Sequence, residues 1–341
     1  MRIEHFRVQI SRTEHLGQLA KCFRVVRICA RMLAQRSWLG AAVVLILCCR
    51  STVAQESSMA ERHPDTIVES SSSTIDLDGP LSLAPWETSD WDWQLLPSAL
   101  IYKSYLAGTK EPRLASQHFT SKGDGWLWDA TLGGRVGLIR FGNRDPIRPD
   151  GLQVDLEGAA QVRLDVPEDV DVRSVDFRGG FPVTFGDGPS RYKFAVYHIS
   201  SHLGDEFLLS NPGYNRLNYS RDVLVLGYSY FLTADFRIYA ETGWAFHSDV
   251  SKPWEFQFGI DYAPGTPTGI WGRPFFAVNG QLRQEVDYGG NFVAQAGWAW
   301  LSDENARLLR IGAHYYNGYS NQFSFYNQHE QQIGMGVWYD F

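Results

Sequence analysis

From about residue 95 to the last residue, apolar and polar side chains alternate at a period of two, and nothing else limits the fold so tightly. That period belongs to extended strands, whose successive side chains point to opposite faces. Leu152, Val154, Leu156, Gly158, Ala160, Val162 and Leu164 share one face, and Gln153, Asp155, Glu157, Gln161, Arg163 and Asp165 share the other. Trp254, Phe256, Phe258, Ile260 and Tyr262 alternate in the same way with Glu255, Gln257, Gly259 and Asp261. A soluble barrel with this many charged inward positions would fill its core with Arg, Glu and Asp, which is costly. A membrane barrel turns the polar face to its lumen and the apolar face to lipid.

The runs are about ten residues long, the length of a tilted transmembrane strand. Aromatic residues gather at their ends (Trp126, Trp128, Tyr228, Tyr230, Trp298, Trp300, Trp338, Tyr339), as interface girdles do. The fold class is therefore all-β, a transmembrane antiparallel β-barrel over 95–341. About twelve strands are expected, near 97–108, 126–141, 151–166, 172–184, 190–201, 217–232, 235–247, 254–263, 273–284, 290–302, 306–317 and 329–341. An even number with both ends periplasmic places 109–125, 202–216 and 318–328 outside. Thr233-Ala234-Asp235 then forms a tight periplasmic turn, while 142–150 and 264–272 are long for such turns.

The first 54 residues follow a different logic. Trp38 to Cys49 is an apolar run too short to span a bilayer as a helix and suited to a signal-peptide core. Thr52-Val53-Ala54 offers a small-x-small cleavage site, so 1–54 reads as a signal peptide, and a start at Met32 makes it compact. Leu47 stands before Cys48 where a lipoprotein signal would have a small residue, which argues against lipidation. Residues 55–94, rich in Ser, acids and Pro, read as a flexible periplasmic leader.

Charge follows the same division. Residues 1–54 hold nine Lys/Arg and two Asp/Glu, leaving 22 basic and 36 acidic residues beyond, a net of -14. That balance argues against a nucleic-acid partner. All four cysteines, Cys22, Cys29, Cys48 and Cys49, fall in the signal segment, so the mature chain has no thiol chemistry.

Inward charges of both signs, among them Arg135, Asp155, Glu157, Arg163, Asp176, Arg178, Arg237, Glu241 and Arg283, suit either a lumen plugged by salt bridges or a small pore. No phosphate-binding Gly loop, GxSxG elbow or HExxH helix is present. The stretch Tyr197 to Glu206 is where chemistry can sit. On a strand, His198 and Ser200 point the same way, about 7 Å apart at Cα, so the imidazole can serve the hydroxyl as a base. An orienting group has to come from the next strand, where Asn218, Ser220 and Asp222 are available. Asp205 and Glu206 supply oxygen ligands for a possible Ca²⁺. His198 and His202 lie about 13 Å apart on a strand and chelate one metal only across a sharp bend. The same stretch also reads as a strand end entering a solvated loop.

His198-x-Ser200 resembles the active-site strand of two outer-membrane lipid hydrolases, phospholipase A and the lipid A deacylase. That resemblance implies Ser200 as nucleophile, His198 as base and Asn218 or Asp222 orienting it, on the outer surface near the outer leaflet. Ser201-His202 stands where phospholipase A has Asn-Gly. Over 95–341, with its Ser200–Glu206 sequence SSHLGDE, the chain is similar to an uncharacterised family of outer-membrane barrel proteins. The last strand, with Ile333, Met335, Val337, Tyr339 and terminal Phe341, resembles the segment by which outer-membrane proteins are recognised for assembly. It implies the barrel-assembly machinery and outer-membrane lipids as partners. The leading expectation is an outer-membrane barrel without enzymatic activity, structural or a narrow pore. The alternative is an outer-membrane lipid acyl hydrolase.

Overall fold

A computed structural model describes residues 91–341. The expected signal peptide and residues 55–90 of the expected leader lie outside the described residues. The strands are β1 (Asp92–Leu95), β2 (Leu114–Ser121), β3 (Gly125–Gly142), β4 (Gly151–Asp165), β5 (Asp171–Asp187), β6 (Ser190–Leu203), β7 (Tyr219–Phe231), β8 (Phe236–Ser248), β9 (Trp254–Tyr262), β10 (Arg273–Arg283), β11 (Gly290–Leu301), β12 (Leu308–Tyr319) and β13 (His329–Asp340). A short helix, α1 (Asp205–Ser210), follows β6.

From β2 to β13 each strand pairs antiparallel with its chain neighbours, and β13 closes on β2 through Gln332↔Ser121 to Tyr339↔Leu114. The result is a closed barrel of twelve strands, as expected. Closure removes the unpaired edge that lipid would not tolerate. The alternation sorts inside out. Arg140, Arg163, Arg191, Arg221, Arg283 and Arg310 are among the largest fully buried side chains, while Leu132 and Met335 are each 63 % exposed. An apolar exterior around a charged interior fits lipid outside, since water would reward the reverse.

The first expected strand is a correction. Residues 97–108 form no strand, and 109–125 is not an external loop, because β2 lies inside that range. Instead β1 pairs with the end of β3 (Asp92↔Gly142 to Leu95↔Ile139), and Leu96 turns the chain at a φ of +48°. Residues 97–113 then run through the lumen as a plug, with Tyr102, Tyr105, Leu106 and Ala107 buried. The inward arginines of the wall hold its carbonyls. Arg135 donates to Tyr102 O (2.8 Å), Arg237 to Lys103 O (2.9 Å) and Ser104 O (2.6 Å), and Arg310 to Leu106 O (3.0 Å). A buried strandless backbone needs such donors. The Tyr105 ring stacks on Tyr239 of the wall at 3.9 Å. Residues 91–94, expected to belong to the leader, join the barrel: Trp91 and Trp93 pack on Phe141.

From the other end the loop 320–328 folds inward through the turn Phe323–Phe325, all three residues buried. Plug and loop meet at Asp176, which takes an ion pair from Lys110 (2.5 Å) and the backbone N–H of Phe323 (3.1 Å). A cavity of about 20 Å³ is left between them, lined by Gln161, Gln295 and His314 among others. That is room for about one water molecule. Of the two readings of the inward charges, the plugged one describes this lumen.

Candidate active site on the outer face

Along β6 the inward side chains are Lys193, Ala195, Tyr197, Ile199 and Ser201, all buried, while Tyr192, Phe194, Val196, His198, Ser200 and His202 face out. Ile199 packs in an inner cluster with Val223 and Phe323, and this fixes the phase of the strand. His198 and Ser200 therefore sit on the lipid-facing side, toward the end of the barrel away from the C-terminus.

Register supplies the third group. His198 pairs directly with Asp222 of β7, and His198 Nδ1 lies 2.8 Å from Asp222 Oδ1. A side-chain exposure of 53 % for the histidine and 24 % for the aspartate leaves the imidazole accessible while its partner is half-buried. In the neutral tautomer that carries its proton on Nδ1, the ring donates to Asp222 and Nε2 keeps its lone pair for proton abstraction. A bulge between Asp222 and Val223, where β7 meets β8, lies beside the pair. Bulges re-aim side chains next to functional sites.

Ser200 pairs with Ser220 on one side and Phe177 on the other. Among the described residues no hydrogen bond joins its hydroxyl to the imidazole. Asn218, the other expected orienting residue, precedes β7 and donates instead to Asp249 Oδ2 at 2.9 Å. Register assigns the position beside the imidazole to Asp222. Opposite His198 on β5 stands Gly179, where a Cβ would meet no atom within 4 Å. It leaves a notch beside the imidazole, between the exposed rings of Phe177 and Phe181. In the sequence the notch is signalled solely by the Gly179-Gly180 pair inside a strand.

His202 rests against Phe177, ring centroids 6.0 Å apart, on the same face as His198 with no bend to bring the two together. Asp205 and Glu206 open α1 as exposed acidic residues. Among the described residues no group of three His, Cys, Asp or Glu side chains is placed to hold a metal ion.

A closed, inside-out barrel with a filled lumen and a histidine–carboxylate pair on its apolar exterior is a transmembrane β-barrel of the outer-membrane type. Residues 86–341 match the family described as "Protein of unknown function (DUF1207)", and the chain belongs to that family. No curated protein matches the chain. Among solved structures it is similar to outer membrane phospholipase A from Escherichia coli (12 % identity, 72 % of this chain and 98 % of that one, TM-score 0.45). It is likewise similar to the Salmonella typhi outer membrane phospholipase dimer with bound calcium (11 %, 67 % and 90 %, 0.44) and to the KdgM porin (11 %, 67 % and 99 %, 0.39).

Proposed function

We propose that this chain is an outer-membrane barrel that hydrolyses acyl esters of lipids at its outer face. The observation that carries the reading is the 2.8 Å contact between His198 Nδ1 and Asp222 on the lipid-facing side, with Ser200 one pleat further along. Ser200 Oγ bonds to the ester carbonyl carbon as its proton passes to His198 Nε2. The adduct collapses, the C–O bond breaks, and the imidazolium returns the proton to the departing alcohol. Water, deprotonated by the same nitrogen, then releases the fatty acid and regenerates Ser200. Asp222 holds the tautomer and stabilises the imidazolium. The contact between Ser200 and the imidazole closes when substrate binds, as catalytic hydrogen bonds tighten in the bound complex.

The test uses the purified barrel in detergent with a phospholipid and a lipopolysaccharide, each with Ca²⁺ supplied and with Ca²⁺ chelated. Acyl release lost in both Ser200→Ala and His198→Ala supports the reading, and a wild type as inactive as the variants on both substrates refutes it. A difference between the two Ca²⁺ conditions that disappears in Asp205→Asn plus Glu206→Gln would assign a role to those carboxylates. The second reading, a narrow pore, uses the polar inner wall but requires residues 97–113, which the wall arginines hold in the lumen, to move. Planar-bilayer conductance of the wild type tests it.

A further inference from the structure

The geometry points to a phospholipid headgroup site on the rim at the C-terminal end of the barrel, formed by the 302–307 turn and the 263–272 loop. The loop leaves the strand ladder and lies along the outer face. Trp298 Nε1–H donates to Trp271 O (2.7 Å) and Trp300 Nε1–H to Ile270 O (3.0 Å), so two indoles pin it there. Its tip projects Ile270 and Trp271, 84 % and 82 % exposed. Side chains so apolar and so exposed belong at a membrane–water interface, where indoles concentrate. The tip marks the level of the headgroups.

Beside the tip a cavity of about 340 Å³ opens, lined by Trp300, Leu309, Tyr339, Asp303 and Arg307. The first three are outward residues of β11, β12 and β13, so the apolar side of the cavity continues into the lipid-facing band. Arg307 lies 5.6 Å from the Phe341 ring centroid, and among the described residues its guanidinium has no ion pair or side-chain hydrogen bond. Asp303 lines the same cavity without forming an ion pair with it. Two opposite charges held apart over an apolar floor complement a zwitterionic headgroup. The phosphodiester meets Arg307, the ammonium of a phosphoethanolamine meets Asp303, and the acyl chains run down past Leu309 and Tyr339. Basic pockets at the membrane surface bind headgroups on this principle. The occupant is a phosphatidylethanolamine of the adjoining leaflet.

The site lies away from His198 and does not rest on the hydrolase reading. Non-hydrolysable dialkyl-ether lipids keep the two separate in the test. Native mass spectrometry of the full barrel, titrated with ether-linked phosphatidylethanolamine, should show one lipid retained in preference to ether-linked phosphatidylglycerol. Arg307→Met should raise the half-saturating concentration about tenfold, Arg307→Lys should recover part of that, and Asp303→Asn should abolish the headgroup preference. The gel mobility of folded barrel, before and after heating, shows that each variant is folded. Unchanged retention in folded Arg307→Met, equal retention of the two lipids by wild type, or displacement of the lipid by millimolar inorganic phosphate would each overturn the assignment.

Discussion

Replacing Arg163 by Met should cost the barrel about 3–5 kcal/mol, the range for removing one partner of a buried ion pair. Its side chain is 2 % exposed and serves three elements of the wall. Nε and Nη2 form a two-pronged contact with Asp129 of β3, both at 2.8 Å, while Nη1 reaches both oxygens of Glu330 on β13 at 2.8 and 2.9 Å. Nη2 also reaches Asn321 Oδ1 of the inner loop at 2.7 Å. At an effective dielectric of about 20, two such pairs are worth roughly 4 kcal/mol each before the cost of dehydrating the ions is subtracted. Dehydration offsets much of that while the guanidinium is present. Without it, two buried carboxylates remain with their desolvation uncompensated, so the loss exceeds that of an ordinary hydrogen bond. The assay is the urea midpoint of the barrel in lipid vesicles, followed by tryptophan fluorescence and by mobility on unheated gels. Combining Arg163→Met with Asp129→Asn and Glu330→Gln removes the orphaned charges and should recover at least half of the loss. A loss below about 1 kcal/mol, or a triple variant no better than the single one, would refute the account of Arg163 as the tie between β3, β4, β13 and the inner loop.

Acyl release should fall about 10²–10⁴-fold in Asp222→Asn, the scale of a lost base–orienter pair, and stay at the wild-type level in Asn218→Ala. Equal effects of the two would assign them to folding and not to chemistry. Gly179→Leu fills the open notch beside His198, so it should raise KM in the lipid assay and leave the urea midpoint unchanged; an unaltered KM would show that substrate does not use the notch. Loosening the plug with Tyr105→Ala plus Lys110→Ala should raise single-channel conductance in planar bilayers above that of the wild type. A folded double variant that stays closed would mean the lumen is sealed without these two anchors.

Membrane-barrel character was legible because it is a local property. In β4 every second residue from Gln153 to Arg163 turns inward, and the period itself announces two unlike environments without reference to any other strand. Eleven of the twelve barrel strands follow from that signal, as does the shared face of His198 and Ser200, whose outward phase the buried Ile199 sets in the structure. β2 escaped because its outward side chains, Leu114, Ser116, His118 and Thr120, are mostly polar. Its neighbours satisfy them: Trp128 Nε1–H donates to Ser116 Oγ at 3.0 Å, and the Trp128 ring stacks on His118. Residues 97–108 are the expected first strand in its place, and their apolar run Ala99-Leu100-Ile101-Tyr102 suits a buried segment of either kind. Only the assembled wall, with Arg135, Arg237 and Arg310 aimed at carbonyls across the lumen, shows them to be a plug.

The same division runs through the candidate site. The sequence placed His198 and Ser200 on one face, since both belong to one strand. It left Asn218 and Asp222 as equals, because the 15 residues between β6 and β7 allow several registers. Tertiary pairing of His198 with Asp222 chose between them. What the sequence determined by itself was which side chains share a face, a consequence of backbone geometry within one strand. Which strands meet, at which register, and what fills the space they enclose were decided only by closure of the barrel, where hydrogen bonds between residues far apart in the chain have to be satisfied together.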